Sequence, residues 1–208
     1  MLNETERVRD LYDRFASRYD TMTGFSEKLF FGDGRRWVCS QARGNVLEIA
    51  VGTGRNFPYY PEDAKLTGID LSPQMLGIAQ RRAQELGRKV GLRVGDAQAL
   101  DFPDNRFDTV VSTLSLCTIP DDRKAVAEAR RVLQPGGRLL LLEHVRSSLT
   151  LVQAVQRVLD PITVRLGADH LLREPLDYVE TEGLVIEQIE RSRWGIVERL
   201  AARKPTSA

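Results

Sequence analysis

The chain has 208 residues, of which 42% are hydrophobic and 28% are charged, a composition that suits one domain with a buried core. Its 30 Lys and Arg residues almost balance 29 Asp and Glu residues, so no basic excess favours nucleic acid or anionic lipid. Two cysteines and two histidines are too few for a disulfide framework or a His/Cys zinc cage. No apolar run approaches the roughly 18 residues that a membrane span needs. We therefore expect a cytoplasmic protein with no membrane segment, no nucleic-acid partner and no metal.

The first forty residues predict two helices. Asn3 followed by Glu6 resembles a capping box, and apolar residues recur at helical spacing over residues 4–19. A second helix is expected over residues 25–40. The pairs Arg35-Arg36 and Arg81-Arg82 are expected to lie on solvated helix faces.

The remainder of the chain alternates strands with helices. Strands are predicted over residues 46–51, 65–70, 90–94, 107–113, 138–144, 185–191 and 195–202. Helices are predicted from Ser72-Pro73 to Leu86, and over residues 123–133, 149–166 and 173–183. The tail from Lys204 to Ala208 is expected to fray. This order predicts an α/β protein with a doubly wound, mainly parallel sheet and helices on both faces.

Glycines and acids follow three successive predicted strands. Gly52 and Gly54 end the first strand and let a ligand approach the backbone closely. Asp70 ends the second strand, where a carboxylate can accept the hydroxyls of a ribose, and Asp96 follows the third. Taken alone, Asp70 or Asp96 is equally well explained as a residue that caps a loop. Together, the glycine turn and the two acids predict a nucleotide-binding site. Phe57 stands where a dinucleotide fingerprint has its third glycine, which disfavours a dehydrogenase.

The segments VLEIAVGTGRN, LTGIDLSPQMLGIA, VGDAQALDFPDNRFDTVVS and EARRVLQPGGRLLLLEHV resemble the ordered motifs of class I S-adenosylmethionine-dependent methyltransferases. The resemblance implies a Rossmann-like, seven-stranded sheet with an antiparallel last strand. It also implies S-adenosylmethionine as cofactor and S-adenosylhomocysteine as product. Cofactor contacts are then expected at Tyr12, Tyr19, Ala50, Gly52, Thr53, Gly54, Asn56, Asp70, Leu71, Met75, Asp96, Ala97 and Leu114. Asp108 matches a position that is acidic in the family. The preference for a polar residue at the entry to a strand, here called strand-entry polarity, explains it equally well.

The methyl acceptor is expected to lie above the methyl group of S-adenosylmethionine. Candidate residues to surround the acceptor there include Tyr12, Cys117 and His170. His144 ends an apolar strand on the cofactor side and is a candidate to accept or relay a proton. Tyr19-Asp20 resembles the YD motif of quinone and lipid methyltransferases, so Tyr19 is the second catalytic candidate. For both residues a purely structural role stays open. An apolar pocket is expected from Leu114, Leu116, Leu149 and Val152.

Three sequence segments narrow the resemblance to one branch of the family. GRNFPYYP, LCTIPDDRKAVAEARRVLQPGGRLLLLEHVRS and VQRVLDPITVRLGADHLLRE resemble the methyltransferase-like branch that includes thiol S-methyltransferases. The hypothesis is direct, in-line transfer to a small, largely apolar acceptor such as a thiol. Quinone C-methylation, phospholipid N-methylation and a noncatalytic S-adenosylmethionine-binding module are the alternatives. The oligomeric state, monomer or homodimer, stays open.

We divide the single domain into four parts by sequence. Residues 1–43 are assigned to an N-terminal helical cap, and residues 44–145 to the cofactor-binding core. Residues 146–183 are assigned to a helical insertion on the acceptor side, and residues 184–208 to a C-terminal hairpin and tail.

Overall fold

The computed structural model of the chain describes residues 3–192 and 194–206. Its strands are β1 (Asn45–Ile49), β2 (Lys65–Asp70), β3 (Val90–Val94), β4 (Phe107–Thr113), β5 (Leu133–His144), β6 (Val185–Ser192) and β7 (Val197–Arg203). Its helices are α1 (Glu4–Phe30), α2 (Gly34–Cys39), α3 (Pro73–Glu85), α4 (Asp122–Val132), α5 (Thr150–Gly167) and α6 (Pro175–Thr181), with a 3-10 turn at Phe57–Tyr59.

The strands form one sheet in the order β3-β2-β1-β4-β5-β7-β6. Strands β1 to β5 pair in parallel, whereas β7 runs antiparallel to both β5 and β6. The predicted Rossmann-like, seven-stranded fold with an antiparallel last strand is confirmed. Because the chain moves outward in both directions from β1 and β4, the carboxyl ends of these strands flank a crevice.

Alternating side chains of the central strands build two cores, one on each face of the sheet. Leu139 and Leu141 of β5 pack with Val126 of α4 on one face. Leu140 and Leu142 pack with Val38 of α2 on the other. Helices therefore cover both faces, as predicted, and the central strands read as continuous apolar runs because both of their sides are buried.

Helix α1 is longer than predicted. The capping box of Asn3 and Glu6 is present, but the helix continues unbroken to Phe30 instead of stopping at residue 19. The break before α2 falls instead near Gly32, which has a φ of +53°. Asp20 of α1 accepts a hydrogen bond from Thr53 in the glycine turn after β1, and Thr23 and Glu27 accept from Arg55 just beyond that turn. Tertiary contacts thus hold a stretch whose local sequence, including Gly24, favours a break.

The C-terminal tail is tied to the sheet at Lys204, contrary to the predicted fraying. The Lys204 backbone pairs with Gly136 and Gly137 at the start of β5. Its ammonium donates to the carbonyl oxygens of Leu133 (2.7 Å) and Arg130 (2.9 Å). Ser207 and Ala208 lie outside the described residues. Among the described residues, no helix combines the length and apolarity required to cross a membrane.

Candidate active site

A tight turn follows β1 and opens toward the crevice. Ala50, Gly52 and Gly54 all have positive φ, at 50°, 55° and 77°. A Cβ atom added to Gly52 would meet no heavy atom within 4 Å, so this glycine faces open space. A Cβ atom on Gly54 would lie 2.4 Å from the Phe57 ring. Gly52 therefore leaves room for a ligand, whereas Gly54 leaves room for Phe57.

The Asp70 carboxylate is held at the end of β2 by two backbone donors. Gly52 N–H donates to Oδ2 at 2.8 Å, and Ser72 N–H donates to Oδ1 at 2.9 Å. Burial raises the pKa of Asp70 to about 6, although both hydrogen bonds favour the ionised form. The glycine turn and the carboxylate are thus locked together, with Asp70 lining the cavity beside the turn.

Asp96 occupies the corresponding place after β3. Its Oδ1 accepts from the backbone N–H (2.9 Å) and the side-chain amide (3.0 Å) of Gln98, which fix the carboxylate. Ala97 and the buried Met75 lie beside it in the cavity wall. This end combines a carboxylate acceptor with apolar surface, the environment that a flat, amine-bearing base requires.

These groups line one cavity of about 800 Å³ that is partly open to solvent. Its walls are Val8, Arg9, Tyr12, Tyr19, Arg35, Ala50, Val51, Gly52, Thr53, Arg55, Asp70, Leu71, Met75, Gly95, Asp96, Ala97, Thr113, Leu114, Ser115, Thr118 and Ile119. All of the predicted cofactor residues except Gly54 and Asn56 are among them.

Asn56 lies beneath the cavity rather than in its wall. Its buried amide donates to Glu48 (2.8 Å) and Thr113 (2.9 Å), and its oxygen accepts from Arg35 (2.8 Å). Tyr60 donates to the second oxygen of Glu48 at 2.9 Å, and burial raises the pKa of Glu48 to about 7. Asn56 thus links β1 and β4 to Arg35 from outside the cavity wall, and its cofactor contact stays a prediction.

Two arginines in the cavity wall share one carboxylate, a feature that the sequence interpretation missed. Arg35 makes a two-pronged contact with Glu27, with both N···O distances at 2.9 Å, and Arg55 donates to the same carboxylate at 2.9 Å. The prediction that Arg35 lies on a solvated face is wrong, because Glu27, Asn56 and Thr113 hold it inside. Arg35 and Arg55 thus place two guanidinium groups around one carboxylate in the cavity wall.

The neighbouring arginines differ in their surroundings. Arg36 lies 5.8 Å from the centroid of the Tyr59 ring, and Arg81 is exposed as predicted. Arg82 does not lie on a free face, because it pairs with Asp20 and donates to the Thr53 carbonyl at 3.0 Å. Thr53 also donates to Asp20 at 2.7 Å. The acid of the Tyr19-Asp20 pair therefore ties α1 to the glycine turn.

Tyr12 and Tyr19 form the wall that α1 contributes to the cavity. Their ring centroids lie 6.1 Å apart with the planes tilted by 60°. Burial raises the pKa of both phenols above their usual value. Near neutral pH both hydroxyls are therefore protonated.

His144 lies behind this wall and does not line the cavity. Its Nε2 is 2.7 Å from Oδ1 of Asp169, and its Nδ1 is buried without a hydrogen bond in the described part of the chain. Burial acts to lower the pKa of His144, but the hydrogen bond and charge of Asp169 outweigh it and raise the pKa. Cys117 is buried close by, and the backbone N–H of His170 donates to its carbonyl oxygen.

Of the four residues predicted to form an apolar pocket, Leu114 alone lines the cavity. Leu116 is buried in the core between the sheet and α4, and Leu149 is about half exposed at the start of α5. Val152 does not line the cavity, since α5 turns much of its apolar face outward. Asp108 accepts from the backbone and amide of Asn45 at the opposite end of β1, which confirms strand-entry polarity as its role.

Fold and site together define a nucleotide-binding protein with a cavity at the carboxyl ends of β1, β2, β3 and β4. The family model described as "Methyltransferase domain" matches residues 47–141. The chain is 37% identical to a phosphatidylethanolamine N-methyltransferase of Cereibacter sphaeroides, over 60% of this chain and 62% of that protein. It is 32% identical to a demethylmenaquinone methyltransferase of Lactiplantibacillus plantarum, over 71% of this chain and 67% of that protein.

A thiol S-methyltransferase of Rattus norvegicus is 34% identical, over 70% of this chain and 62% of that protein. A solved Haemonchus contortus phosphoethanolamine N-methyltransferase, in complex with S-adenosylhomocysteine, shares the fold, with a TM-score of 0.72 and 20% identity. That match covers 95% of this chain and 60% of the other. The chain belongs to the class I S-adenosylmethionine-dependent methyltransferases, and it spans about three fifths of the length of the first curated relative.

Proposed function

We propose that the protein transfers the methyl group of S-adenosylmethionine to a small, largely apolar acceptor. The observation that carries this proposal is the single cavity in which Gly52, Asp70 and Asp96 meet the tyrosines of α1. Bound S-adenosylmethionine supplies a methyl group already made electrophilic by the sulfonium. The protein's task is then mainly to position the acceptor for in-line attack.

Different cavity residues are proposed to bind different parts of the cofactor. Asp70, whose oxygens are fixed by two N–H donors, would accept the ribose hydroxyls, and Asp96 would accept the adenine amine. Leu71 and Met75 would flank the adenine ring. Gly52 leaves space for the methionine portion, and the guanidinium groups of Arg35 and Arg55 in the cavity wall suit its carboxylate.

The acceptor end is formed by the segments above the expected methyl position. Tyr19 and Leu114 line it directly, and the two protonated phenols provide donors that orient an acceptor without deprotonating it. His144, behind Tyr12, is proposed to assist in making the acceptor nucleophilic. Residues 1–43 and 146–183 are assigned to enclosing the acceptor as part of the same proposal.

A thiol is our preferred acceptor. It demands little of the enzyme, because a thiol of pKa about 8.5 already supplies some thiolate near neutral pH. A thiol S-methyltransferase is among the relatives, as are demethylmenaquinone and phosphatidylethanolamine methyltransferases. Quinone C-methylation and phospholipid N-methylation are therefore the competing acceptors. A cytoplasmic location belongs to the same proposal.

Methyl-labelled S-adenosylmethionine tests the acceptor directly. The protein is incubated with thiols, phenols, demethylmenaquinone and phosphatidylethanolamine, and the labelled product is identified. We expect label on a thiol. Label on a quinone or lipid alone would overturn the thiol assignment. Unchanged turnover and stability in His144→Ala would remove that residue from the reaction.

A noncatalytic binding module is the alternative of another class. It predicts tight binding of S-adenosylhomocysteine by calorimetry with no methylated product from any acceptor. Binding of NADH in place of S-adenosylhomocysteine would contradict both proposals. Asp70→Ala serves as the control whose binding should be lost.

A further inference from the structure

Three potential metal ligands from distant parts of the sequence meet beside the cavity. Cys117 belongs to the loop after β4, His144 ends β5, and Asp169 lies between α5 and α6. One ligand atom from each lies within 4.8 Å of the others. Cys117 is buried, whereas the side chains of His144 and Asp169 retain 17% and 35% exposure. Thr118, the next residue after Cys117, lines the cavity.

The three atoms form a donor set that zinc favours. Thiolate, imidazole and carboxylate all bind Zn²⁺, with metal–ligand distances near 2.0 Å for nitrogen and oxygen and near 2.3 Å for sulfur. Tetrahedral coordination then separates the ligand atoms by about 3.3–3.5 Å. The contact between His144 Nε2 and Asp169 Oδ1 is 2.7 Å, so this pair must widen by about 0.6 Å. Asp169 is the more exposed partner of this pair, with 35% of its side chain accessible.

An unsatisfied polar atom lies in the same cluster. Nδ1 of His144 is buried and makes no hydrogen bond to any described residue. A buried imidazole nitrogen without a partner costs free energy, because water has been removed and nothing replaces it. Because no hydrogen bond to a described residue holds Nδ1, turning the ring to bind a cation through Nε2 would break no hydrogen bond at Nδ1. On binding, Cys117 would exchange its thiol proton for the metal.

We propose that Cys117, His144 and Asp169 bind one zinc ion beside the acceptor end of the cavity. The sequence predicts no metal site because its cysteines and histidines are few and scattered. The fold adds a carboxylate to one cysteine and one histidine, a combination that the sequence does not reveal. Three protein ligands leave the fourth tetrahedral position open, which is the arrangement of sites that exchange a ligand.

None of the three ligands lines the cavity, so an acceptor would reach the open position past Thr118, the cavity residue next to Cys117. A thiol acceptor at that position is an assignment that rests on the proposed function. A thiol that binds zinc loses its proton to solvent and becomes a thiolate. Its sulfur would then attack the methyl group: the new S–CH3 bond forms, the sulfonium S–CH3 bond breaks, and the electron pair stays on the sulfur of S-adenosylhomocysteine. The thioether product, a weaker ligand, then leaves the zinc. His144 would thus assist the acceptor as a ligand.

Cobalt(II) substitution tests the site on the whole, folded protein. The metal-free protein is titrated with Co²⁺ and with Zn²⁺, and the metal content of the dialysed protein is measured. We expect one zinc per chain and, with Co²⁺, the visible bands of a tetrahedral site with a thiolate-to-metal charge-transfer band. Cys117→Ser should abolish the charge-transfer band, and Asp169→Asn should weaken binding at least about tenfold. Cys39→Ala, which changes the other buried cysteine, should leave binding intact.

Absence of retained zinc and of cobalt bands in the folded wild type would overturn the site. Equal loss in Cys39→Ala and Cys117→Ser would overturn it as well. Adding a small aliphatic thiol should shift the cobalt bands, whereas a phenol should not, and no shift would overturn the thiol ligand. S-adenosylhomocysteine binding is measured in parallel. If the protein binds S-adenosylhomocysteine but not zinc, only the metal proposal fails. If it does not bind S-adenosylhomocysteine, the proposed function itself fails.

Discussion

At the scale of single residues, the cofactor end of the cavity depends on what lies next to each backbone position. Gly52 and Gly54 look equivalent in the sequence, but only the first faces open space. The second is required by the ring of Phe57, the residue that takes the place of a third glycine. One glycine therefore leaves open space in the cavity, and the other leaves room for a packed ring.

Alanine at each glycine should separate these two roles. In Gly52→Ala the new Cβ has space, so the free energy of unfolding should fall by only about 1 kcal/mol, because alanine disfavours the positive φ. The same variant should bind S-adenosylhomocysteine much more weakly, because the Cβ enters the open space. Gly54→Ala adds a clash with Phe57 and should destabilise the protein by roughly 2–4 kcal/mol. Chemical denaturation and calorimetry measure the two effects. Equal losses of stability in the two variants would contradict this division.

The protonation of Asp70 should make cofactor binding depend on pH. Its pKa is raised to about 6 by burial, so the protonated fraction grows as the pH falls through 6. A protonated carboxyl loses acceptor capacity toward the ribose, so affinity for S-adenosylhomocysteine should fall roughly tenfold between pH 7 and pH 5. Asp70→Asn should bind weakly with little change over that range. An affinity that stays constant in the wild type would refute the assignment.

At the scale of elements, α1 acts as a cap held by charges. Asp20 pairs with Arg82, and Glu27 pairs with Arg35 and Arg55 around the glycine turn. These acids recur on the face of α1 that packs toward the cofactor site. They explain why the helix runs on through Gly24, since each contact requires helical backbone at that point.

Removing the Glu27 charge should loosen this cap. Glu27 is almost fully buried, and Glu27→Gln leaves two arginines without their counter-ion. We expect a loss of about 3 kcal/mol in the free energy of unfolding, which chemical denaturation measures. Glu85→Gln, an exposed position on α3, is the control and should change stability by less than about 0.5 kcal/mol. A Glu27→Gln variant as stable as this control would contradict the buried ion-pair network.

At the scale of the whole molecule, the cavity joins the sheet to its cap. Val8, Tyr12 and Tyr19 of α1 face Asp70 and Asp96 at the strand ends across the same space. A ligand that fills it contacts both parts, so binding and stability of the cap should be coupled.

S-adenosylhomocysteine should therefore stabilise the entire fold and slow local opening of α1. At 100 times its dissociation constant, a ligand adds about 2.7 kcal/mol to the free energy of unfolding, which raises the melting temperature by several degrees. Hydrogen exchange over residues 8–20 should slow as well. Gly52→Ala should show neither effect at the same ligand concentration. Stabilisation without slower exchange in α1 would show that the cap does not respond to the ligand.

The sequence by itself determined the parts of this protein that depend on neighbours along the chain. Apolar runs marked the central strands, and the glycine turn, Asp70 and Asp96 followed from their positions at strand ends, because parallel strands bring their carboxyl ends to one edge. The tertiary structure alone decided the pairing of Glu27 with Arg35 and Arg55, and the meeting of Cys117, His144 and Asp169. Periodicity is a local signal, whereas a side chain's electrostatic partners are set by which distant segments pack together. The continuation of α1, the tied Lys204 and the outward face of α5 were decided in the same way.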